Sequence, residues 1–391
     1  MTDKNGRRII ARLITTGGST IPELAEALDI SIGTATSAVA SLLEAGHLRD
    51  QGKVATGSGR KPRSYTLNPD AGIYAGIDLC ENHIQFGLMD MAGEMLKTHT
   101  QLGFKLENTE ESLQGLCEII REYRTRIPEY LGRIRRVCVN IPGRINTRTG
   151  YSYTYFNFTG RPLSGILSDC FGREVCIGND TRSMAYAEYL KGCTGGEQNV
   201  IFINVNWGLG VGMILDGKPY FGKSGYAGEF GHIHAFENQV ICQCGKMGCL
   251  ETEVSGQALR RKLTERIRRG ESSILSERVL HSDEPLTLEE ILHAVQREDT
   301  LCIDVVGEIG SLLGTRIAGL INLLNPELVV IGGELSMTGD YLLQPLRMNV
   351  IKHSIARVHQ DTAIRTSTLG SEAGVTGACL VARSSDFNLY F

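Results

Sequence analysis

One stretch constrains this chain more than any other. Residues 228–253 read GEFGHIHAFENQVICQCGKMGCLETE. They gather a carboxylate (Glu229), two histidines (His232, His234), three cysteines (Cys242, Cys244, Cys249) and two further carboxylates (Glu251, Glu253), punctuated by glycine. Three of the eleven cysteines fall within these eight positions, 242–249. Imidazole with thiolates is the donor set that a tetrahedral zinc favours. Either histidine can supply the nitrogen. The flanking acids are hydrogen-bond acceptors suited to a polyol. The pattern predicts a structural zinc that folds the loop and holds Glu229 and Glu251 over a sugar pocket.

At 391 residues the chain is too long for one small core, so two or three domains are expected. The formal net charge of −4 gives no global attraction to nucleic acid, so any such contact must be local. No apolar signal core opens the chain, and no apolar run is long enough to span a bilayer. No membrane partner is expected. The cysteine total is odd and most cysteines outside the cluster are scattered, which suits reduced thiols and a cytoplasmic setting.

Residues 1–70 read as a separate unit. Ile9, Ile10, Leu13 and Ile14 recur at helical spacing, and Gly17-Gly18 stops that helix. Thr20 suits the N-cap of a second helix with Ile21, Leu24, Ala25 and Leu28 inward. After a turn at Asp29-Ile30, Ser31 caps a third helix. Its expected buried face is Ile32, Ala35, Val39, Leu42 and Leu43; its outer face is Thr34, Thr36, Ser37 and Ser41. Residues 48–54 and 64–67 read as strands around Gly57-Ser58-Gly59-Arg60-Lys61-Pro62. Helix, helix–turn–helix and β-wing is the arrangement in which the second helix of the pair enters the major groove. The expected DNA contacts are Ser31, Thr34, Thr36 and Ser37 on the helix and Arg60, Lys61 and Arg63 on the wing. A protein-interaction module would share the three helices, but not the basic wing tip. One such unit reads one half-site, so a homodimer or homotetramer on operator DNA is expected.

From residue 71 the pattern becomes mixed α/β. Strands are expected at 73–79, 84–89, 94–100, 136–141, 200–205 and 328–331, and helices at 113–123 and 182–190. Residues 255–318 are charged and mostly helical. The two halves each begin with a strand followed by a glycine-containing turn, which permits an internal duplication.

The order of winged helix, Asn179-Asp180, Gly208-x-Gly210-x-Gly212, Glu229-x-x-His232, Cys242-x-Cys244-Gly245-x-x-Gly248-Cys249-Leu250-Glu251 and Gly332-Gly333 resembles the ROK family (repressors, open reading frames and sugar kinases) over nearly the whole chain. The resemblance implies an α/β fold. An N-terminal winged helix-turn-helix, residues 1–70, precedes a two-lobed, actin-like (ribonuclease-H-like) ROK domain, residues 71–391, that binds a sugar. It implies structural Zn2+ on His232, Cys242, Cys244 and Cys249, with His232 rather than His234 matching the motif. It implies sugar contacts at Asn157, Asn179, Asp180, Glu229, His232 and Glu251. In the family's kinases the position of Asp180 is the general base for transfer from ATP with Mg2+, and glycines such as Gly208, Gly210, Gly212, Gly332 and Gly333 serve the nucleotide.

Two departures weigh against that last role. The kinases' first phosphate loop reads Asp-x-Gly-Gly-Thr; this chain has Asp78-Leu79-Cys80-Glu81-Asn82-His83. The glycines that admit a phosphate are gone, and Glu81 brings a repelling charge. In the second loop Trp207 replaces a small hydroxyl residue. Family members with a winged helix are mostly sugar-responsive transcriptional regulators. A repressor is therefore expected, with the zinc loop as a candidate relay. A glucokinase-like or N-acetylhexosamine-kinase-like enzyme is the alternative.

Overall fold

The computed structural model describes residues 3–53 and 62–390. The chain divides into two compact units, Met1–Leu190 with Gly374–Phe391, and Lys191–Ala373.

The N-terminal segment folds largely as read. Helix Lys4–Thr16 ends at Gly17, whose φ of 74° suits a residue without Cβ. Helix Ile21–Ala27 opens on a capping box. The Thr20 N–H donates to Glu23 Oε2 at 2.7 Å, and the Glu23 N–H donates to Thr20 Oγ1 at 3.4 Å. Helix Ile32–Glu44 opens on Ser31, whose hydroxyl accepts from the Thr34 N–H at 3.0 Å. Strands Leu48–Lys53 and Arg63–Leu67 pair antiparallel, with Ser19–Thr20 on the other side of the second strand.

Ile9, Ile10, Leu13, Leu24, Ala35, Val39 and Leu42 form the buried centre of this segment. Ile32 departs from expectation, because 61% of its surface is exposed. Helical side chains lean toward the N-terminus. A residue at the first helical position therefore leans past the end of its own helix, and Ala38 is buried instead.

In the rest of the first unit, strand Ile73–Leu79 is central to a five-stranded sheet. Strands His83–Asp90 and Met95–Leu102 extend it antiparallel on one side; Ile134–Ile141 and Val175–Asn179 extend it parallel on the other. All seven residues of the central strand are buried, as parallel pairing with both faces covered requires. Helices Glu110–Thr125 and Leu163–Phe171 add Leu116, Ile120, Leu163 and Leu167 to its core.

The second unit repeats this plan. Val200–Val205 is central, Leu209–Leu215 and Lys218–Pro219 extend it antiparallel, and Leu328–Gly332 and Ala363–Thr366 extend it parallel. The two sheets share strand order and sense throughout. The duplication that the sequence permits is thus present in topology. Helices Gly256–Arg268 and Thr300–Leu324 supply much of the second core, through Leu259, Leu263, Val305, Ile309 and Leu313. Each such fully buried aliphatic side chain is worth about 1.5–3 kcal/mol.

From Gly374 on, helix Ala373–Asp386 belongs to the first unit. Arg383 is buried and donates to the Met91 carbonyl at 3.3 Å. Asp386 accepts from the Tyr74 hydroxyl at 3.0 Å and from Arg135 Nε at 2.6 Å. The Phe387 ring then meets the His47 ring edge-on, 5.5 Å between centroids.

The scattered cysteines suggest reduced thiols rather than a disulfide framework; two of them, Cys117 and Cys170, are joined in a disulfide, with their Cα atoms 5.5 Å apart. They lie 53 positions apart in sequence and meet because helices Glu110–Thr125 and Leu163–Phe171 pack together. Linear spacing does not reveal such a meeting.

Candidate functional site

The loop at residues 228–253 is held by backbone as well as by side chains. His234 and Cys249 form a β-bridge, as do Ile241 and Met247. The Cys242 N–H donates to the Lys246 carbonyl at 2.8 Å, and the Gly245 N–H returns to the Cys242 carbonyl at 2.8 Å. This turns the Cys242-x-Cys244 step into a tight knuckle. Gly245 and Gly248 sit at φ 83° and 71°, and a Cβ on Gly248 would collide with the Phe236 carbonyl. Arg316 fixes the far side by donating to the Ala235 carbonyl at 2.5 Å.

Within this frame the ligating atoms of His232, Cys242, Cys244 and Cys249 all lie within 4.8 Å of one another. Cys242 Sγ is 3.5 Å from His232 Nδ1, and Cys244 Sγ is 3.6 Å from Cys249 Sγ. A tetrahedral zinc with ordinary bond lengths needs edges of about 3.5–3.8 Å. The four residues therefore could hold a metal such as zinc, and His232 rather than His234 is the imidazole among them. Three thiolates and one imidazole complete a tetrahedron and leave no open position. Burial pushes the Cys242 and Cys249 thiols up from their ordinary value. Such a packed set of sulfurs gains from a cation that takes them as thiolates.

With Nδ1 turned to the sulfurs, His232 Nε2 points to Glu229 Oε2, 3.7 Å away. That separation is too long for a direct hydrogen bond and leaves both groups able to take a third partner. Glu251 is more committed. Its Oε2 accepts from the Leu209 N–H at 2.9 Å, and its Oε1 lies 3.7 Å from Cys242 Sγ. Glu253 is wholly structural: it pairs with Arg261 and Lys262 at 2.9 Å each and accepts from Asn238 at 2.7 Å.

Glu251 links the cysteine loop to the second glycine-rich turn. Gly208 has its Cα against the Glu251 carboxylate, 2.8 Å from where a Cβ would stand. Gly210 and Gly212 lie inside strand Leu209–Leu215, opposite Asn204 and Phe202. The Asn206 and Trp207 carbonyls accept the first N–H groups of helix Gly256–Arg268, at 2.8 and 3.2 Å. Trp207 carries the Arg260 guanidinium over its ring, 4.4 Å from the centroid. Gly332 packs on Phe202, and Gly333, at φ 82°, packs on Val205 and Asn204. Close packing within the second unit accounts for glycine at 332 and 333.

The first unit has its own polar cluster. Residues 80–82 are the turn between strands Ile73–Leu79 and His83–Asp90, closed by the Cys80 N–H on the His83 carbonyl at 3.0 Å. Asp78 is buried at the strand end and accepts from Asn140 Nδ2 at 3.0 Å. Asn140 Nδ2 also donates to the Gly374 carbonyl at 2.9 Å, and its Oδ1 accepts from the Ser183 hydroxyl at 2.7 Å. A Cβ on Gly374 would strike the Asp78 carboxylate, and one on Gly377 would strike Ser183. Burial pushes the Asp78 carboxyl up to about 6, against the hydrogen bonds from Asn140 and Cys80. Burial also pushes Asp180 up to about 7, opposed by the Thr181 N–H and reinforced by the charge of Asp78. Asp180 itself is partly exposed.

Asn179 and Asp180 adjoin, with Asn179 Nδ2 donating to Asp180 Oδ1 at 3.0 Å. Asn179 also caps the following helix, its Oδ1 accepting from the Arg182 N–H at 3.0 Å. Asn157 is exposed and accepts from Asn108 at 2.9 Å. Asn140 was missed in the sequence. Its signal is a lone amide in the apolar run Val137-Cys138-Val139-Asn140-Ile141, where a buried polar group must find partners.

On the winged helix, Ser31, Thr36 and Ser37 are exposed and Thr34 half-buried. The Thr36 hydroxyl donates to the Ile32 carbonyl at 2.8 Å. Arg63 pairs with Asp50 across the hairpin at 2.5 Å. Arg60 and Lys61 lie outside the described residues.

Comparison with known proteins decides what these arrangements belong to. The profile described as ROK family matches residues 74–385. The chain belongs to the ROK family. A profile described as winged helix-turn-helix DNA-binding matches residues 2–48. This ROK protein is 28% identical to the xylose repressor of Caldicellulosiruptor bescii over 370 residues, 93% of this chain and 91% of that one. It is 32% identical to the glucokinase of Halalkalibacterium halodurans over 314 residues, 78% of this chain and 93% of that one. Among solved structures, a ROK family transcriptional regulator described as a homologue of the Escherichia coli MLC protein superposes with a TM-score of 0.81 at 27% identity, covering 99% of this chain and 96% of that one. The fold is the α/β, actin-like one of this family with a winged helix-turn-helix in front. Among the described residues, no helix is long and apolar enough to cross a membrane.

Proposed function

We propose that this ROK protein is a transcriptional repressor that binds operator DNA through its winged helix and releases it when a sugar or sugar derivative binds. The match to a xylose repressor over 93% of the chain carries this reading, because it takes in the DNA-binding segment and the ROK domain together. Ser31, Thr34, Thr36, Ser37 and the exposed Ile32 then face the major groove, and Arg60, Lys61 and Arg63 meet the backbone. The sugar contacts proposed are Asn157, Asn179, Asp180, Glu229, His232 and Glu251. A structural Zn2+ on His232, Cys242, Cys244 and Cys249 fixes the tautomer of His232, so that Nε2 carries the hydrogen-bonding role. A homodimer or homotetramer in the cytoplasm suits paired half-sites. The ligand favours the state with lower operator affinity, which is what induction requires.

The test is a gel-shift titration of operator candidates beside the gene, with a panel of hexoses, pentoses, N-acetylhexosamines and their phosphates. Specific binding relieved by one sugar class supports the proposal. No sequence-specific binding at any site sinks it.

A kinase reading has one observation in its favour. The Asp180 carboxyl, pushed up to about 7, suits a general base near neutral pH. Against it stand the hairpin at residues 80–82, where the kinases have glycines, and Trp207 under Arg260. Turnover of ATP with the same hexoses, abolished by Asp180→Asn, would reverse the choice.

A further inference from the structure

The Cys117–Cys170 pair opens onto a surface pocket of about 350 Å³ that the sugar and DNA readings leave unused. Cys117 is 6% exposed and Cys170 is 2% exposed, and both line the pocket. Gln114, Glu118, Arg121, Arg161 and Asp169 lie around them. Arg161 pairs with Asp169, whereas Arg121 turns inward, with Nη2 3.7 Å from Cys170 Sγ. A guanidinium beside a sulfur favours its thiolate, the nucleophile in disulfide exchange. The two cysteines thus have what a redox couple needs: a partner in bonding position, an activating cation and an entrance. Cys302 and Cys379, also buried, line neither this pocket nor the one beside Glu251.

We propose that Cys117 and Cys170 are a reversible modification site, cycled between dithiol and disulfide by a low-molecular-mass disulfide of the glutathione class entering this pocket. The Cys170 thiolate attacks one sulfur of the incoming disulfide. That S–S bond breaks, a mixed disulfide forms, and the departing thiolate takes up a proton. The Cys117 thiolate then attacks the Cys170 sulfur and expels the second small thiol, which takes up the other proton. Two protein thiols are oxidised by two electrons and one small disulfide is reduced to two thiols. In a compartment that keeps most thiols reduced, a disulfide of this kind works as a transient switch rather than a permanent staple. Its place gives it something to act on. Helix Leu163–Phe171 runs through Gly172 into strand Val175–Asn179, so the cross-link restrains the segment that delivers Asn179 and Asp180.

The experiment uses the full-length, zinc-loaded protein in glutathione buffers of graded reduced-to-oxidised ratio, followed by alkylation and peptide mass spectrometry. The expected result is a peptide linking Cys117 to Cys170 that grows with the oxidised share and disappears with dithiothreitol. Oxidised wild type should melt roughly 5–15 °C higher than reduced wild type, as closing a loop of this length allows. Cys117→Ser should show no such difference while retaining its zinc. Arg121→Gln should slow formation of the link several-fold without changing its end point. Alkylation of both thiols at the most oxidising ratio would overturn the proposal. So would a stable glutathione adduct on either cysteine with no internal link. Should Cys117→Ser fail to fold, the wild-type peptide titration decides alone.

Discussion

Replacing Asp78 by Asn should make the first unit more stable at alkaline pH and no more stable at acid pH. Asp78 is 2% exposed, and burial raises its carboxyl from an ordinary 3.8 to about 6. A carboxyl raised in the folded state favours folding while it is neutral. Its contribution is fully present below about pH 4 and is lost as pH rises through about 6. The gap corresponds to about 3 kcal/mol, the penalty for holding the ionised group in place at pH 8. Asparagine carries no charge, and its carbonyl can still accept from Asn140 Nδ2. Its own NH2 would face Cys80 and Gly374 without a good acceptor, which returns about 1–2 kcal/mol of the gain. The net expectation is a gain of about 1–2 kcal/mol at pH 8 and a small loss at pH 4.5. Urea unfolding at these two pH values measures it. The single tryptophan, Trp207, belongs to the second unit. Hydrogen exchange across strand Ile73–Leu79 is therefore the proper probe. Asp180 offers an internal control, since losing the Asp78 charge should lower its carboxyl. If wild type and variant keep parallel stability-versus-pH curves, the buried carboxylate is not the group that titrates and the reasoning fails.

Cys249→Ala should reduce bound zinc from one per chain to under about a tenth at equal total metal, read by elemental analysis, because a three-ligand remnant binds far more weakly. Ile32→Asn should leave thermal stability within about 0.5 kcal/mol, since the side chain is exposed, yet weaken operator binding about tenfold by removing an apolar contact suited to a thymine methyl. An unchanged gel shift would remove Ile32 from the DNA face. Phe387→Ala empties the position beside His47 and should cost about 3–5 kcal/mol. The loss should show as faster hydrogen exchange in strands Leu48–Lys53 and Arg63–Leu67 before any change in the second unit.

Much of this was legible in the sequence because the relevant signals are local. Thr20 and Ser31 cap helices at the expected positions, and the ligand cluster is compressed into one loop whose glycines do what their spacing suggests. What escaped depends on contacts distant in sequence. Cys117 and Cys170 meet only through helix packing, and Asn140 finds Asp78 and Gly374 only once three chain segments converge. Helix Asp340–His353 carries Pro345 in its interior, a residue that argues against a helix until packing overrides it. Ile32 shows the limit of periodicity, which counts positions but does not see a helix end. Glu251 shows another: its type suits a hydroxyl, yet one oxygen is already engaged by the Leu209 N–H.

The return of residues from Gly374 onward to the first unit bears on how the protein is made. During synthesis the DNA-binding segment emerges before the second unit, but the helix that supplies Asp386 to Tyr74 and Phe387 to His47 emerges after it. Domains generally fold as units while the chain leaves the ribosome. Here the first unit must wait for the entire second unit to be translated before its own framework closes. A prematurely terminated chain would carry the winged helix without the segment that braces it. Translation through Phe387 thus acts as a check on the DNA-binding end, and a chain cut short within the second unit is not a fully braced competitor for the operator.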